Sequence, residues 1–222
     1  KKIVFSGVGK TDREIKQAIK VGILFFNVES EEEIERIHEL SIKLRRTVDV
    51  CLRVNPEVEP HTHQHIKTAK KESKFGLSFQ SAKMILLNRM RFFNIHIRGL
   101  HFHIGSQITQ AQPYIRAIKK VSEFIGEAKK LGVNFEYLNI GGGMGIVYKK
   151  EAAQTAKVFA QAITSLLKKT GLKIILEPGR FIVGSAGILV SKITFVKDTG
   201  YRKFLILDSG MNDLIRPALY EA

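Results

Sequence analysis

The chain has 222 residues, of which 44% are hydrophobic and 26% charged, a composition typical of globular proteins. Because no stretch of about 18 consecutive apolar residues occurs, the sequence predicts no transmembrane helix and no membrane partner. The single cysteine, Cys51, excludes an internal disulfide and favours a reducing, cytoplasmic location. The apolar run around Cys51 predicts a buried structural thiol.

The formal net charge is +15, from 36 Lys and Arg against 21 Asp and Glu. The basic residues are spread along predicted helices, with no dense basic run and no interleaved aromatic residues. We therefore expect no nucleic-acid partner, because solvated helix faces and an anionic small ligand explain the charge equally well.

Strand-like and helix-like segments alternate along the chain. Residues 1–7 predict a strand already in progress rather than a signal peptide, as expected of a chain that begins inside a fold. The capping pair Ser30 and Glu33 predicts a helix start. We predict strands at 3–6, 23–28, 48–54, 97–104, 135–140 and 173–177, and helices at 12–20, 30–45, 79–90, 112–131 and 151–170.

This alternation predicts an α/β fold with a parallel sheet. Six strand–helix units are visible, whereas a (β/α)8 TIM-like barrel has eight, so we predict a barrel that lacks about two N-terminal units. Beyond it, the alternating segment 187–197, the turn 198–203 and the strand 204–208 predict a β-hairpin. The expected domains are a partial barrel at 1–184 and the beginning of a C-terminal β domain at 185–222.

Two motifs suggest chemistry that their surroundings disfavour. The segment 7–11 (GVGKT) mimics a nucleotide phosphate loop, but the full pattern needs a glycine where the chain has Val4, so a tight turn is the better interpretation. The alternating residues His61, His63 and His65 suggest metal ligands, but the flanking prolines and polar residues predict an ordinary loop, and we predict no metal site.

Polar and glycine-rich turns follow three of the predicted strands. His101 and His103 are two residues apart on a strand, so both point to the same face. The glycines at 141–143 allow backbone N–H groups to converge on an anion. Glu177 begins the turn 177–180 (EPGR). In barrels, the loops after the last two strands commonly bind phosphate, so these turns predict a phosphate-bearing ligand.

Four segments, at 99–107, 139–146, 177–180 and 210–220, resemble the motifs of the diaminopimelate decarboxylases in order and spacing. These enzymes belong to the alanine-racemase-like, fold-type III group of pyridoxal-phosphate-dependent decarboxylases. The resemblance covers nearly all of the chain, and the run at 210–220 (GMNDLIRPALY) is its most specific part. It implies a barrel followed by a β domain, a homodimer with shared active sites, and conversion of meso-2,6-diaminopimelate to L-lysine and CO2.

The same resemblance implies residue roles. The catalytic residues are His103, against the face of the pyridine ring, and Glu177, which bonds the pyridine nitrogen. The residues expected to bind pyridoxal 5′-phosphate are His103, Ser106, Gly141, Gly142, Gly143, Glu177, Pro178, Gly179 and Arg180. The residues expected to contact the substrate are Arg180, Arg216 and Tyr220.

The chain also departs from the family pattern. The motif that carries the Schiff-base lysine and the late motif that carries the proton-donor cysteine are both absent, and Cys51 does not match the latter. Residues 68–71 replace a usual Thr-Gly pair. We therefore expect an incomplete portion of an enzyme, inactive alone. Two alternatives stay open: a decarboxylase of ornithine, arginine or carboxynorspermidine, and a non-catalytic cofactor-binding relative.

Overall fold

The computed structural model describes residues 2–58, 74–148 and 153–220. Strands and helices alternate from the beginning, as the sequence predicts. The elements are β1 (Val4–Phe5), α1 (Asp12–Val21), β2 (Phe25–Val28), α2 (Glu31–Lys43), β3 (Val48–Arg53), α3 (Phe79–Leu87), a 3-10 turn (Arg89–Arg91), β4 (Ile95–His101), α4 (Gln112–Lys130), β5 (Tyr137–Asn139), α5 (Ala156–Thr170), β6 (Lys173–Ile175), α6 (Arg180–Val183), β7 (Ile193–Asp198), β8 (Lys203–Leu207) and α7 (Arg216–Tyr220).

The first six strands form one parallel sheet in the order β1-β2-β3-β4-β5-β6. Each strand therefore lies beside its neighbour in sequence, and the order never reverses. A doubly wound sheet reverses at a switch point and has helices on both faces, whereas a barrel wall adds strands in sequence. The topology is that of a parallel, barrel-type α/β sheet.

The helices α1 to α5 pack on one face of this sheet. On β3, Val48, Val50 and Leu52 point into the helix-packed core, and on β4 Leu100 does so. These side chains are nearly inaccessible to solvent. The residues between them point to the opposite face, since successive strand side chains alternate. Cys51 is buried on that opposite face, which confirms the predicted structural thiol.

The helix starts show one difference from the predicted capping. The Ser30 hydroxyl accepts from Glu33 N–H at 3.1 Å, but the Glu33 carboxylate accepts from Glu29 N–H instead of completing a capping box. A complete box occurs at α1, between Thr11 and Glu14. The Glu33 prediction was wrong because a buried lysine draws its carboxylate away from the helix axis.

Several element bounds also differ from prediction. The strand predicted at 97–104 begins at Ile95, because Val48 and Ile95 pair although His96 is polar. The helix predicted at 79–90 ends at Leu87 and continues as a 3-10 turn. The helix predicted from 151 begins at Ala156, where Thr155 caps it through Val158 N–H.

The segment after α6 differs in character from the sheet. Strands β7 and β8 pair antiparallel, which confirms a hairpin there, and their side chains are exposed along their whole length. The first strand begins at Ile193, so 187–192 lies outside it. The domain division at residue 184 stays a prediction.

Two further predictions concern a membrane-spanning helix and the segment with the alternating histidines. Within 2–58, 74–148 and 153–220, no helix combines the length and the apolar character that crossing a membrane requires. His61, His63 and His65, and the departure at 68–71, lie outside the described residues.

Candidate functional site

Polar side chains stand at or just beyond the carboxyl end of every strand of the parallel sheet. They lie on the face opposite the helices, the end where parallel barrels carry their chemistry. Most of them are buried despite being polar, so each needs a partner. In strand order they are Ser6, Asn27, Arg53, His101, Asn139 and Glu177.

Glu177 is held by three neutral donors from three strands. Ser6 Oγ lies 3.0 Å from Oε2, and the side-chain amides of Asn27 and Asn139 donate to Oε1 at 3.0 and 2.6 Å. Neutral donors fix the position of a carboxylate without cancelling its charge. The carboxylate is 27% exposed, so it can face a cationic group in the space beyond the strand ends.

His101 adds no charge to this cluster. Its Nε2 lies 3.6 Å from Glu177 Oε1. Burial, with a smaller contribution from the nearby Arg53, holds the pKa of His101 well below its ordinary value. His101 is therefore a neutral neighbour of the Glu177 carboxylate.

His103 is neutral as well. Burial, aided by the charge of Arg53, lowers the pKa of His103 to about 4. Its Nδ1 accepts a hydrogen bond from Gly142 N–H at 3.2 Å, so the proton of the neutral ring is on Nε2. The ring thereby has a fixed tautomer beside the glycine turn.

The glycine turn at 141–143 packs against both neighbouring turns. A Cβ on Gly142 would overlap the Glu177 carbonyl oxygen, and a Cβ on Gly143 would overlap that of Gly105. Gly143 also has φ +107°, a conformation that other residues rarely adopt. The turn requires glycine because backbone lies directly against backbone. This packing brings together the two turns that the sequence predicted to act jointly.

A second wall of the site is cationic. Arg180 Nη1 donates to Gln107 Oε1 at 3.1 Å, and Ile146 N–H donates to the same oxygen at 3.2 Å. The guanidinium of Arg216 lies 4.0 Å from the ring centroid of Tyr148, and that of Arg180 lies 6.0 Å from it. Tyr148 thus brings two arginines from distant segments to the same side of the sheet.

The remaining predicted residues lie close by. Ser106 follows Gly105, whose carbonyl contacts the glycine turn. Pro178 Cα would lie 3.6 Å from a Cβ on Gly142, and Gly179 precedes α6. Tyr220 ends α7, the short helix that begins at Arg216. Their roles toward a ligand stay predictions.

Several contributors escape the sequence patterns. Ser6, Asn27 and Asn139 have no role predicted from the sequence, although Asn139 begins the segment 139–146 that resembles a family motif and an asparagine inside an apolar strand indicates a buried partner. A buried pair, Arg53 Nη1 to Glu29 Oε1 at 2.5 Å, supports the end of β3. Gly76 N–H donates to the other Glu29 oxygen at 3.0 Å.

The segment 7–11, which resembles a nucleotide phosphate loop, has its lysine fully hydrogen-bonded within the protein. The Lys10 ammonium group donates to the carbonyls of Gly7 at 2.7 Å and Asn27 at 2.8 Å, and to Glu33 Oε1 at 2.6 Å. Its side chain is 1% exposed. An ammonium group has three donors, so none remains for a nucleotide phosphate, and the segment is a tight turn.

Known proteins resemble the chain along its whole length. Diaminopimelate decarboxylase of Aquifex aeolicus is 44% identical over 222 residues, which are 100% of this chain and 53% of that protein. The diaminopimelate decarboxylase of Helicobacter pylori, solved with L-lysine, superposes with a TM-score of 0.93 at 38% identity, covering 99% of this chain and 55% of that one. The M. jannaschii enzyme, also solved with L-lysine, gives 0.90 at 40% identity, covering 99% and 52%.

The chain spans about half the length of the curated relatives it matches. A family model, that of the pyridoxal binding domain of the pyridoxal-dependent decarboxylases, matches residues 1–184. The site fits this cofactor class: the glycine turn has no side chains to obstruct a phosphate, and Glu177 offers a carboxylate to a cationic ring nitrogen. Two of the turn's N–H groups are engaged within the protein, since Gly141 N–H donates to Asn139 Oδ1 and Gly142 N–H donates to His103 Nδ1. The expected resemblance is confirmed, and the chain belongs to the pyridoxal-dependent decarboxylase family.

Proposed function

We propose that the protein containing this chain decarboxylates meso-2,6-diaminopimelate to L-lysine and CO2 with pyridoxal 5′-phosphate. The observation that carries the proposal is the meeting of the Glu177 carboxylate, the glycine turn and His103 at one end of the sheet. The relatives' names support the reaction, and L-lysine in two of their structures is its product.

The proposed role of Glu177 is to hold a proton on the pyridine nitrogen. When bound, the cofactor supplies an electron sink for the carbanion that loss of CO2 leaves. A carboxylate beside the ring nitrogen favours its protonated form, since an opposite charge stabilises the cation. The neutral donors Ser6, Asn27 and Asn139 support this role because they orient the carboxylate without neutralising it.

His103 is proposed to lie against the face of the pyridine ring. Its lowered pKa keeps the imidazole uncharged at neutral pH, so it adds no repulsion next to a cationic ring. The hydrogen bond from Gly142 N–H fixes the plane of its ring. A preset imidazole plane limits the orientations that a ligand ring can adopt.

The proposed phosphate site combines three turns and one arginine. The glycines at 141–143 put no side chain in the way of a phosphate, and Ser106 and Gly179 adjoin them in the neighbouring turns. Pro178 supports the glycine turn from behind. Arg180 lies beside Gln107 at the edge of the same region and supplies a charge opposite to that of phosphate.

The proposed substrate clamp consists of Arg180, Arg216 and Tyr220. Diaminopimelate has an amino-acid group at each end, so the end that does not react needs a partner for its carboxylate. Arg216 belongs to the segment after the sheet, yet its guanidinium stacks on Tyr148 beside Arg180. Guanidinium groups bind carboxylates through paired hydrogen bonds, which favours diaminopimelate over substrates with only one carboxylate.

The sheet also supports a proposal about the whole protein. We propose that residues 1–184 are the cofactor-binding part of a (β/α)8 barrel that lacks about two N-terminal strand–helix units. Residues 185–222 begin the C-terminal β domain. The protein is further proposed to act in the cytoplasm as a homodimer with shared active sites.

Product analysis of the intact protein tests the function. With pyridoxal phosphate and meso-diaminopimelate, we expect equimolar CO2 and L-lysine, and no release without the cofactor. Parallel reactions with ornithine, arginine and carboxynorspermidine test the alternatives. CO2 release from one of these, with none from diaminopimelate, would refute the substrate assignment.

A further inference from the structure

Both backbone polar groups of Gly142 are held by side chains. Its N–H donates to His103 Nδ1 at 3.2 Å, and its carbonyl accepts from the Tyr114 hydroxyl. Tyr114 lies in the first turn of α4 and is only 3% exposed. A single buried tyrosine therefore connects a helix of the outer layer to the turn beside His103.

An apolar cavity of about 230 Å³ borders the glycine turn on the side of α4 and α5, lined by Tyr114, Gly142, Met144, Phe159 and Pro178 among others. Side chains that border a cavity lose dispersion contacts on that side, so the turn is packed less tightly here than against the neighbouring turns. A directed hydrogen bond across this region fixes the turn more strongly than the apolar lining does.

The tyrosine hydroxyl is committed to this contact. Burial raises the pKa of the Tyr114 hydroxyl, which keeps its proton in place for donation. Its ring packs edge-on against Phe159, with the ring centroids 5.5 Å apart, which sets the direction of the hydroxyl. The side chain is thus aimed at the turn by packing and joined to it by one hydrogen bond.

We infer that Tyr114 is a positioning residue that holds the Gly142 carbonyl. The glycine turn and His103 are thereby preset for the cofactor's phosphate and ring. The inference rests on the proposed function, because it concerns the same cofactor. Tyr114 does not touch the ligand in this arrangement. It acts through the orientation of Gly142, whose two hydrogen bonds couple the two parts of the site.

The substitution Tyr114→Phe tests the inference in the intact apoprotein. We expect the dissociation constant for pyridoxal 5′-phosphate to rise roughly tenfold, the effect of one buried hydrogen bond. The constant for phosphate-free pyridoxal should rise less, by about twofold to threefold, because this ligand is affected only through His103 and lacks the phosphate beside the turn. Without any ligand, exchange of the Gly142 amide hydrogen should become faster.

Two control variants separate the hydroxyl from other effects. Tyr137→Phe removes a hydroxyl from the same sheet at a distance from the turn, and Ile163→Val reduces packing in the cavity wall while Tyr114 and its neighbour Phe159 stay. Both should retain the wild-type affinity for pyridoxal phosphate.

The outcomes distinguish a failure of the proposed function from a failure of the inference about Tyr114. A wild-type protein that fails to bind pyridoxal phosphate overturns the proposed function. Normal wild-type binding with unchanged affinity and Gly142 exchange in Tyr114→Phe overturns the inference alone. Equal losses for pyridoxal and its phosphate, or an equal loss in Ile163→Val, also overturn it, because either result assigns Tyr114 a general packing role.

Discussion

The two faces of the parallel sheet differ in what their residues do. On the helix side, Leu100 and its neighbours are apolar, buried and packed against α1 to α5. On the opposite side, polar residues lie at the carboxyl ends of the strands, and His101 and Asn139 approach Glu177 from adjacent strands. Strand alternation therefore lets consecutive residues serve different ends: one stabilises the fold, and the next belongs to the site.

The largest expected effect of breaking this division is on stability. Leu100→Ala removes a fully buried side chain from the helix side, so the free energy of unfolding should fall by about 3 kcal/mol. Chemical denaturation of the intact protein measures this. Leu87→Ala, at a half-exposed position of α3, should cost under about 1 kcal/mol. Similar losses for the two variants would contradict the assignment of the core to this face.

On the opposite face, Glu177→Gln should affect activity rather than folding. The amide retains the shape but cannot hold a proton at the facing pyridine nitrogen, so kcat should fall about a hundredfold or more while pyridoxal phosphate stays bound. Steady-state kinetics and a cofactor-binding titration measure both effects. Glu136→Gln, a carboxylate beyond the other end of β5, should leave kcat unchanged. Undiminished turnover in Glu177→Gln would remove this residue from its proposed role.

A smaller effect is expected at the edge of the site. Arg216→Ala should raise KM for diaminopimelate about tenfold with little change in kcat, because the loss of a charge-assisted contact weakens substrate binding. The exposed Arg202, in the hairpin turn, provides the control variant Arg202→Ala. A fall in kcat at constant KM would show that Arg216 contributes to the reaction step instead of the clamp.

The smallest expected effect is on the pH dependence of stability. The pKa of His103 is about 4 in the folded chain and ordinarily 6.5, so the unfolded chain binds more protons between these values. Stability should therefore decrease as pH falls from 6.5 to 4, by about 1 kcal/mol at pH 5.5 for this residue. Denaturation at several pH values should show a weaker dependence in His103→Gln.

The fold was largely predictable because its signals are local. Apolar alternation and helical spacing identified the six parallel strands and the helices between them. The misplaced boundaries have non-local causes, such as the pairing of Val48 on β3 with Ile95 on β4. The Glu33 carboxylate likewise goes to Lys10, which lies 23 positions earlier in the chain.

The site was predictable only where a family motif marks it. Glu177, His103 and the glycine turn belong to such motifs, and the structure brings them together. Tyr114 and Tyr148 lie in segments that resemble ordinary helix and loop sequence. Their contacts depend on how α4 and the segment after the sheet pack against the turns, which a local pattern does not contain.

The end of β3 is joined directly to the residues that precede α3. Val54 and Leu77 form a parallel bridge, and Asn55 N–H donates to the Leu77 carbonyl at 2.8 Å. The chain thus departs from the sheet and rejoins it at nearly the same point, with Gly76 anchored to Glu29 on its return. Because Glu29 also pairs with Arg53, one carboxylate connects the end of β2 to the end of β3 and to the residues that precede α3.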